Sequence, residues 1–161
     1  MSLVATSGGP NSNAFCDVAT ADLYHLNRLF NQEWSGASTK DKESSIISAT
    51  SLLNDLDWSG NLDLYSEQAL RFPRENLYDK DGRELTGIPT FLVKATSELA
   101  LELLRSEDVS QTVGTKRIKA GSVEMEYYET PYSGSMLPKS IQYIINPFLV
   151  SGYHNVKLVR S

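Results

Sequence analysis

The stretch ALRFPRENLYDKDGRELTGIPTFLVKATSELALELL, residues 69–104, decides the fold, because it passes from an irregular connection into a strongly patterned helix. It opens with an Arg-Phe-Pro-Arg corner at residues 71–74 and continues through an Asp-Lys-Asp-Gly turn at residues 79–82. Pro89 suits the first turn of a helix, since its missing N–H would have no partner there. Residues that suit a core then recur at helical spacing and predict one buried face. They are Leu92, Ala95, Thr96, Leu99 and Leu103.

Two further helices are predicted before this stretch. The first runs from a cap at Asp17 to about Gln32. Its apolar residues recur at helical spacing and are Leu23, Leu26 and Phe30. The second begins at the capping-box pattern of residues 38–41 and ends near Gly60. Its buried stripe comprises Ile46, Ala49, Thr50, Leu53 and Leu56.

The connection between the second and third helices, residues 61–87, shows little periodicity. Its aromatic and leucine residues nevertheless predict an ordered segment that lies on the core. We expect Leu53 to meet Leu99 and Leu103 where the second and third helices pack together.

After residue 105 the apolar pattern changes to a period of two, which is typical of a strand. A β-hairpin is therefore predicted at about 112–129. Pro138 then opens a short fourth helix, and Pro147 limits its length. The alternating residues of the hairpin are Val123, Met125 and Tyr127.

The predicted fold is mainly α. It is a four-helix bundle with the β-hairpin between the third and fourth helices and a strand-like tail at the C-terminus. A chain of 161 residues is long enough for one core. We divide it into a flexible N-terminal arm over residues 1–14, a helical domain over residues 15–150 and a C-terminal docking tail over residues 151–161.

Composition excludes several classes of function. The net charge of −5 argues against a broad basic surface for duplex DNA. Cys16 is the one cysteine, so a disulfide framework or thiolate metal cluster is excluded. The sequence lacks an apolar run long enough for a membrane span and the pattern of a signal peptide. We expect no membrane contact and a protein that stays in the cell that makes it.

Residues able to carry out chemistry are sparse. His25 and His154 each lack a second ligand at metal spacing. The 79–82 turn lacks the first and last carboxylates of a calcium loop. Pairs of acidic residues fit a solvated face as well as an acid–base dyad. These pairs are Asp55 with Asp57, Glu98 with Glu102, and Glu124 with Glu126. We predict no catalytic, metal-binding or cofactor-binding residues and no enzyme activity.

One basic cluster could bind single-stranded nucleic acid through charge and stacking. It combines Lys116, Arg117 and Lys119 with Tyr127 and Tyr128. Three acidic residues follow on the same predicted hairpin, so we favour a solvated hairpin there.

The succession of these elements resembles a family of tailed-phage head–tail connector proteins, the adaptors that lie under the portal and are often labelled DnaT-like. The resemblance covers residues 14–150. VATADLY, residues 18–24, is similar to the family's Ala-Asp-x-Tyr opening. The most specific part is the corner at residues 71–74 followed by Asp-x-x-Gly and Ile-Pro.

The resemblance implies a structural adaptor that catalyses nothing and lets DNA pass. It would form a ring with other copies of itself, in this family usually a dodecamer, and would contact the portal protein and passing DNA. A downstream tail component, such as a nozzle, stopper or tail terminator, would be a further partner. The protein would lie in the virion at the head–tail interface, or neck, after synthesis in the host cytoplasm. The alternative is a DnaT-like, single-stranded-DNA-binding replication accessory protein.

Two groups of residues are candidates for contacts. Arg71, Phe72, Pro73 and Arg74 are predicted to brace their loop or a subunit contact, since an arginine fork suits planar acceptors. The tail contains β-prone residues with basic ones between and after them, and we expect it to dock on the portal or a neighbouring subunit by strand addition. It could instead pair with its own hairpin. The docking residues are Tyr153, Val156, Lys157, Leu158, Val159 and Arg160.

Overall fold

The computed structural model of the protein describes residues 2–105 and 137–150. The predicted β-hairpin at 112–129 and the docking tail at 151–161 lie outside these residues. Within the described ranges the backbone forms helices, turns and isolated bridges, with no strand, so the mainly α class is confirmed. The helices are α1 (Val18–Leu26), α2 (Gln32–Gly36), α3 (Thr39–Asn54), α4 (Thr90–Arg105) and α5 (Lys139–Ile145), and a 3-10 helix spans Asn146–Phe148.

Helix α1 starts where predicted but ends earlier. The Asp17 side chain accepts from the Thr20 N–H at 2.8 Å and caps the first turn. The predicted end near Gln32 is wrong, because the Asn31 side chain donates to the His25 carbonyl at 2.6 Å and satisfies the end of α1. Ala21 and His25 are the buried residues of α1. The predicted apolar face therefore points to solvent, and its exposed residues are Leu23, Leu26 and Phe30.

Helices α3 and α4 pack against each other at the centre of the molecule. The Ser38 side chain accepts from the Asp41 N–H and caps α3, as predicted. Leu53 and Leu99 are buried, whereas Leu103 is half-buried near the end of α4. Helix α3 ends at Asn54, before the predicted stop at Gly60.

An aromatic cluster joins the connection to the helices. The Phe72 ring lies 5.8 Å from Phe15, 5.1 Å from Trp58 and 6.3 Å from Phe91, each in an edge-to-face arrangement. Trp58 also donates from its indole N–H to the Leu53 carbonyl at 2.9 Å. These contacts confirm that residues 61–87 form an ordered connection, since aromatic edges and faces attract at such separations.

Helix α5 closes the core from the other end of the described chain. Ile141 and Ile145 are buried, and the Phe148 ring stacks on Phe91 at 3.8 Å. The backbone N–H of Val150 donates to the Asp57 carbonyl at 2.8 Å. These contacts fix α5 on α4 and on the connection.

Residues 2–14, predicted as a flexible arm, form a hydrogen-bonded loop in the structure. The Asn13 side chain accepts from the Val4 N–H at 2.7 Å, and the Asn13 N–H donates to the Val4 carbonyl at 2.9 Å. The Gly9 carbonyl accepts from the Ala69 N–H at 3.1 Å. The loop therefore lies against the connection that follows α3.

Candidate functional site

Arg74 holds the two sides of the connection together. Its guanidinium donates to the carbonyls of Trp58, Ser59 and Gly60 at 3.1, 2.7 and 2.9 Å. A planar fork of donors suits this group of converging carbonyls. The described contacts of Arg74 are thus within its own chain, and they brace the turn that follows Trp58.

The other residues of the corner divide between core and surface. Phe72 is buried, Pro73 is partly buried and the Arg71 side chain is exposed. The Arg71 backbone N–H donates to the Asn54 side chain at 2.7 Å. A subunit contact through Arg71 stays a prediction, and the predicted docking residues of the tail lie outside the described chain.

A cleft of about 420 Å³ opens beside Arg74. Three of its lining residues are acidic, namely Asp63, Glu75 and Glu84. Arg74 is the one basic residue of the lining, and its guanidinium is bonded to backbone carbonyls. Because three acidic groups outnumber one basic group, the cleft has a net negative charge that repels phosphate and does not suit nucleic acid.

Glu98, whose pattern in the sequence fits a solvated face as well as an acid–base dyad, belongs to a polar network in the structure. Glu98 is buried, accepts from the Tyr24 hydroxyl at 2.6 Å and forms an ion pair with Arg28. Burial, together with this carboxylate, raises the pKa of Tyr24 to about 12. The network joins α1 to α4 and is structural, since all its charged members are paired with one another.

His25 lies beside this network and is buried as well. Its Nε2 lies 3.1 Å from the Ser97 carbonyl, which can only accept, so Nε2 carries the proton. Its ring also packs 4.6 Å from Trp34. Burial lowers the pKa of His25 and keeps the imidazole neutral.

Several basic side chains of the described chain are engaged within the protein. Arg28 pairs with Glu98, Lys42 lies 2.8 Å from Asp22, and Arg105 lies 2.8 Å from Glu102. Such side chains are less available to phosphate groups than unpaired ones.

The outer face of α5 is different. Lys139 and Tyr143 are exposed and four residues apart, so they lie on the same side of the helix. Tyr143 is 78% exposed. Neither side chain bonds to another described residue. An aromatic ring and a cation that has no partner among the described residues therefore lie on the same side of α5.

The sequence around α5 adds to this arrangement. Asp and Glu are absent from residues 130–161, although the whole protein carries 20 of them. The same residues contain Lys139, Lys157 and Arg160, together with three tyrosines. Our interpretation of the sequence missed this site, and the signal that would have found it is the absence of acidic residues after Glu129.

Fold and surface together define a class: a small, mainly helical, acidic protein that exposes Tyr143 beside Lys139 on α5, and an aromatic ring beside a cation is what single-strand-binding surfaces use. The comparisons agree with this class. The sequence matches, over residues 1–161, a family described as "Putative DnaT-like ssDNA binding protein". The chain belongs to that family. A search of curated proteins and a search of solved structures each returned no match.

The family match corrects the connector interpretation. It points to DNA binding in replication, so a structural connector in the virion and a location at the virion neck are wrong. Ring formation, the portal and the tail components find no support in it. The family match does support contact with DNA. It favours the alternative interpretation, a replication accessory protein that binds single-stranded DNA, over the connector.

Two further observations concern the described residues. Within 2–105 and 137–150, no group of three or more His, Cys, Asp or Glu is placed to hold a metal ion. None of the helices in the same ranges combines the length and the apolar character needed to cross a membrane.

Proposed function

We propose that this protein binds single-stranded DNA as a replication accessory and carries out no chemical step itself. The observation that carries the proposal is the match of residues 1–161 to the family of DnaT-like single-stranded-DNA-binding proteins. The structure adds a surface that suits the activity, the outer face of α5.

Tyr143 and Lys139 supply the two interactions that a single strand needs. A base stacks on the exposed Tyr143 ring, and the neighbouring phosphate lies near the Lys139 ammonium group. Every base has a π-face, so this mode tolerates any sequence. The net charge of −5 keeps the strand away from most of the surface and confines it to the acid-free region.

The basic cluster predicted from the sequence is a second contact for the same strand. Lys116, Arg117 and Lys119 precede α5 in the chain, with Tyr127 and Tyr128 between them and α5. They add charge and stacking to those of Tyr143 and Lys139. The binding site thus draws on the C-terminal third of the chain.

Fluorescence anisotropy with a labelled oligothymidine tests the proposal, with a duplex of the same length as competitor. We expect the single strand to bind more tightly than the duplex and its affinity to fall as salt is raised. Tyr143→Ala should weaken binding about 5- to 150-fold, which corresponds to the loss of one stacked base. Tyr143→Phe should retain most of the affinity, because it keeps the ring.

Tyr65→Ala is the matched control. Tyr65 is 97% exposed but lies in a segment with Asp63 and Glu67, so its loss should leave the affinity unchanged. Absence of binding by the wild-type protein at low salt contradicts the proposed function. Equal binding by the Tyr143→Ala variant retains the function but moves the interface away from α5.

A further inference from the structure

An apolar surface on α1 and on the turn that follows it has no partner in the described chain. It consists of Leu23, Leu26, Leu29 and Phe30, and we name it the α1 patch. These side chains are 70%, 72%, 83% and 80% exposed. They fall within eight consecutive residues, and Leu23 and Leu26 lie one helical turn apart on α1.

The fold holds Phe30 outward at a cost. Phe30 has a φ of 59°, a left-handed conformation that a residue with a bulky side chain rarely adopts. Arg105, the last residue of α4, donates to the Phe30 carbonyl and also bonds Glu33 at 3.4 Å. A strained residue that is fixed from a second helix indicates a functional constraint on its position. Here the constraint keeps an aromatic ring in solvent.

The size of the α1 patch fits the centre of a homodimer interface. Four side chains of this kind present on the order of 500 Å² of apolar surface. A stable interface needs about 800 Å² from each partner, and in homodimers roughly 65% of it is apolar. The patch therefore supplies the apolar part, and its polar neighbours can supply the remainder.

Charge beside the α1 patch leaves it free to pair with itself. Arg28 lies within this stretch of chain and Glu33 follows it, and each is paired within its own chain, Arg28 with Glu98 and Glu33 with Arg105. Like charges at these two positions are therefore balanced before a second copy approaches. A two-fold axis through the patch then brings the leucines and Phe30 of the two copies together at the centre of the interface.

We propose that the α1 patch is a dimer interface, in which a second copy of this chain packs its own α1 patch against the first around a two-fold axis. This pairing is independent of DNA and of the site on α5.

Sedimentation of the full chain across protein concentration, without DNA, tests the proposal. The wild-type protein should show a monomer–dimer equilibrium. Phe30→Asn should weaken dimerisation at least about 10-fold, as removal of a central aromatic does. Asn tolerates the left-handed conformation, so the variant should keep its melting temperature at monomeric concentration. Tyr65→Asn makes the same change at an exposed aromatic outside the patch and should leave the equilibrium unchanged.

Cross-linking supplies a second measurement. Leu26→Cys places a thiol near the middle of the α1 patch and should form a disulfide-linked dimer under mild oxidation. Wild-type protein should not, because Cys16 is buried and burial raises the pKa of its thiol to about 11. A wild-type monomer at all concentrations, or a Phe30→Asn variant that still dimerises, overturns the proposal. Loss of monomer stability in Phe30→Asn also overturns it, since the ring would then pack within its own chain.

Discussion

Arg74 donates from Nε to the carbonyl oxygen of Ser59 at 2.7 Å, across 15 residues of the connection. The same guanidinium reaches the Trp58 and Gly60 carbonyls from its outer nitrogen at 3.1 and 2.9 Å. A single side chain thus satisfies three successive carbonyls that no helix or strand would satisfy. The connection is ordered because its backbone groups have partners.

Replacement of Arg74 by Lys should destabilise the fold by about 1–3 kcal/mol, because an ammonium group keeps the charge but cannot span the three carbonyls. Urea unfolding followed by circular dichroism measures this loss. Arg71→Lys is the control, since the Arg71 side chain is exposed and Arg71 bonds through its backbone N–H and carbonyl, which the substitution keeps. Similar losses in the two variants would contradict the role of Arg74.

Leu99→Ala should cost about 2–5 kcal/mol by leaving a cavity between α3 and α4. Leu99 is buried in the core and α4 packs on α3. Leu52→Ala removes the same atoms from a side chain of α3 that is 40% exposed, so it should cost less. An unchanged melting temperature for Leu99→Ala would refute the packing described here.

Gly60 and Gly82 form a matched pair for a backbone test. Their φ values are 76° and 78°, so alanine meets the same left-handed strain at both. A β-carbon at Gly60 would lie 2.6 Å from the Glu75 carbonyl oxygen, whereas one at Gly82 meets nothing within 4 Å. Gly82→Ala should therefore cost about 1–2 kcal/mol from conformation alone. Gly60→Ala should lower the melting temperature clearly more than Gly82→Ala does. Equal decreases in the two variants would show that the contact with the Glu75 carbonyl is relieved without loss of stability.

His25 should make stability depend on pH. Burial lowers its pKa in the folded state, so below the ordinary value of 6.5 the unfolded chain binds a proton that the folded protein does not. The contribution of His25 to the free energy of unfolding is complete above pH 6.5. It decreases as pH falls from there toward the lowered pKa, by at most about 1.4 kcal/mol per pH unit.

Urea unfolding between pH 5 and pH 7.5 checks this slope. The His154→Gln variant leaves His25 as the one histidine of the chain and should retain the slope. The His25→Gln variant should lose the slope, and its amide nitrogen, which reaches about as far as Nε2, can still donate to the Ser97 carbonyl. Asp and Glu titrate near pH 4, below most of this range. A slope that persists without His25 would contradict the prediction.

Local patterns predicted the helices that bury a regular stripe. Leu92, Ala95 and Leu99 recur at helical spacing, and Pro138 and Pro147 bracket α5. These positions were predictable because burial of one face and the geometry of proline act over a few residues.

The early end of α1 was not predictable in this way. Leu23, Leu26 and Phe30 fit a helical stripe, yet they are exposed. Asn31 bonds back to the His25 carbonyl, and α1 instead packs through Ala21 and His25. The apolar residues at helical spacing therefore form an exposed surface, and the buried face of α1 is a different one.

The sequence by itself determined the mainly α class, the caps at Asp17 and Ser38, the ordered connection and the acidic character of the chain. Each follows from interactions between near neighbours or from composition. Only the tertiary structure decided that Glu98 is buried, that Arg74 braces its own loop and that Phe30 faces solvent. Glu98 meets Tyr24 across 74 residues, and Arg105 meets Phe30 across 75. Contacts at such separations depend on how the helices pack, and no local pattern encodes that packing.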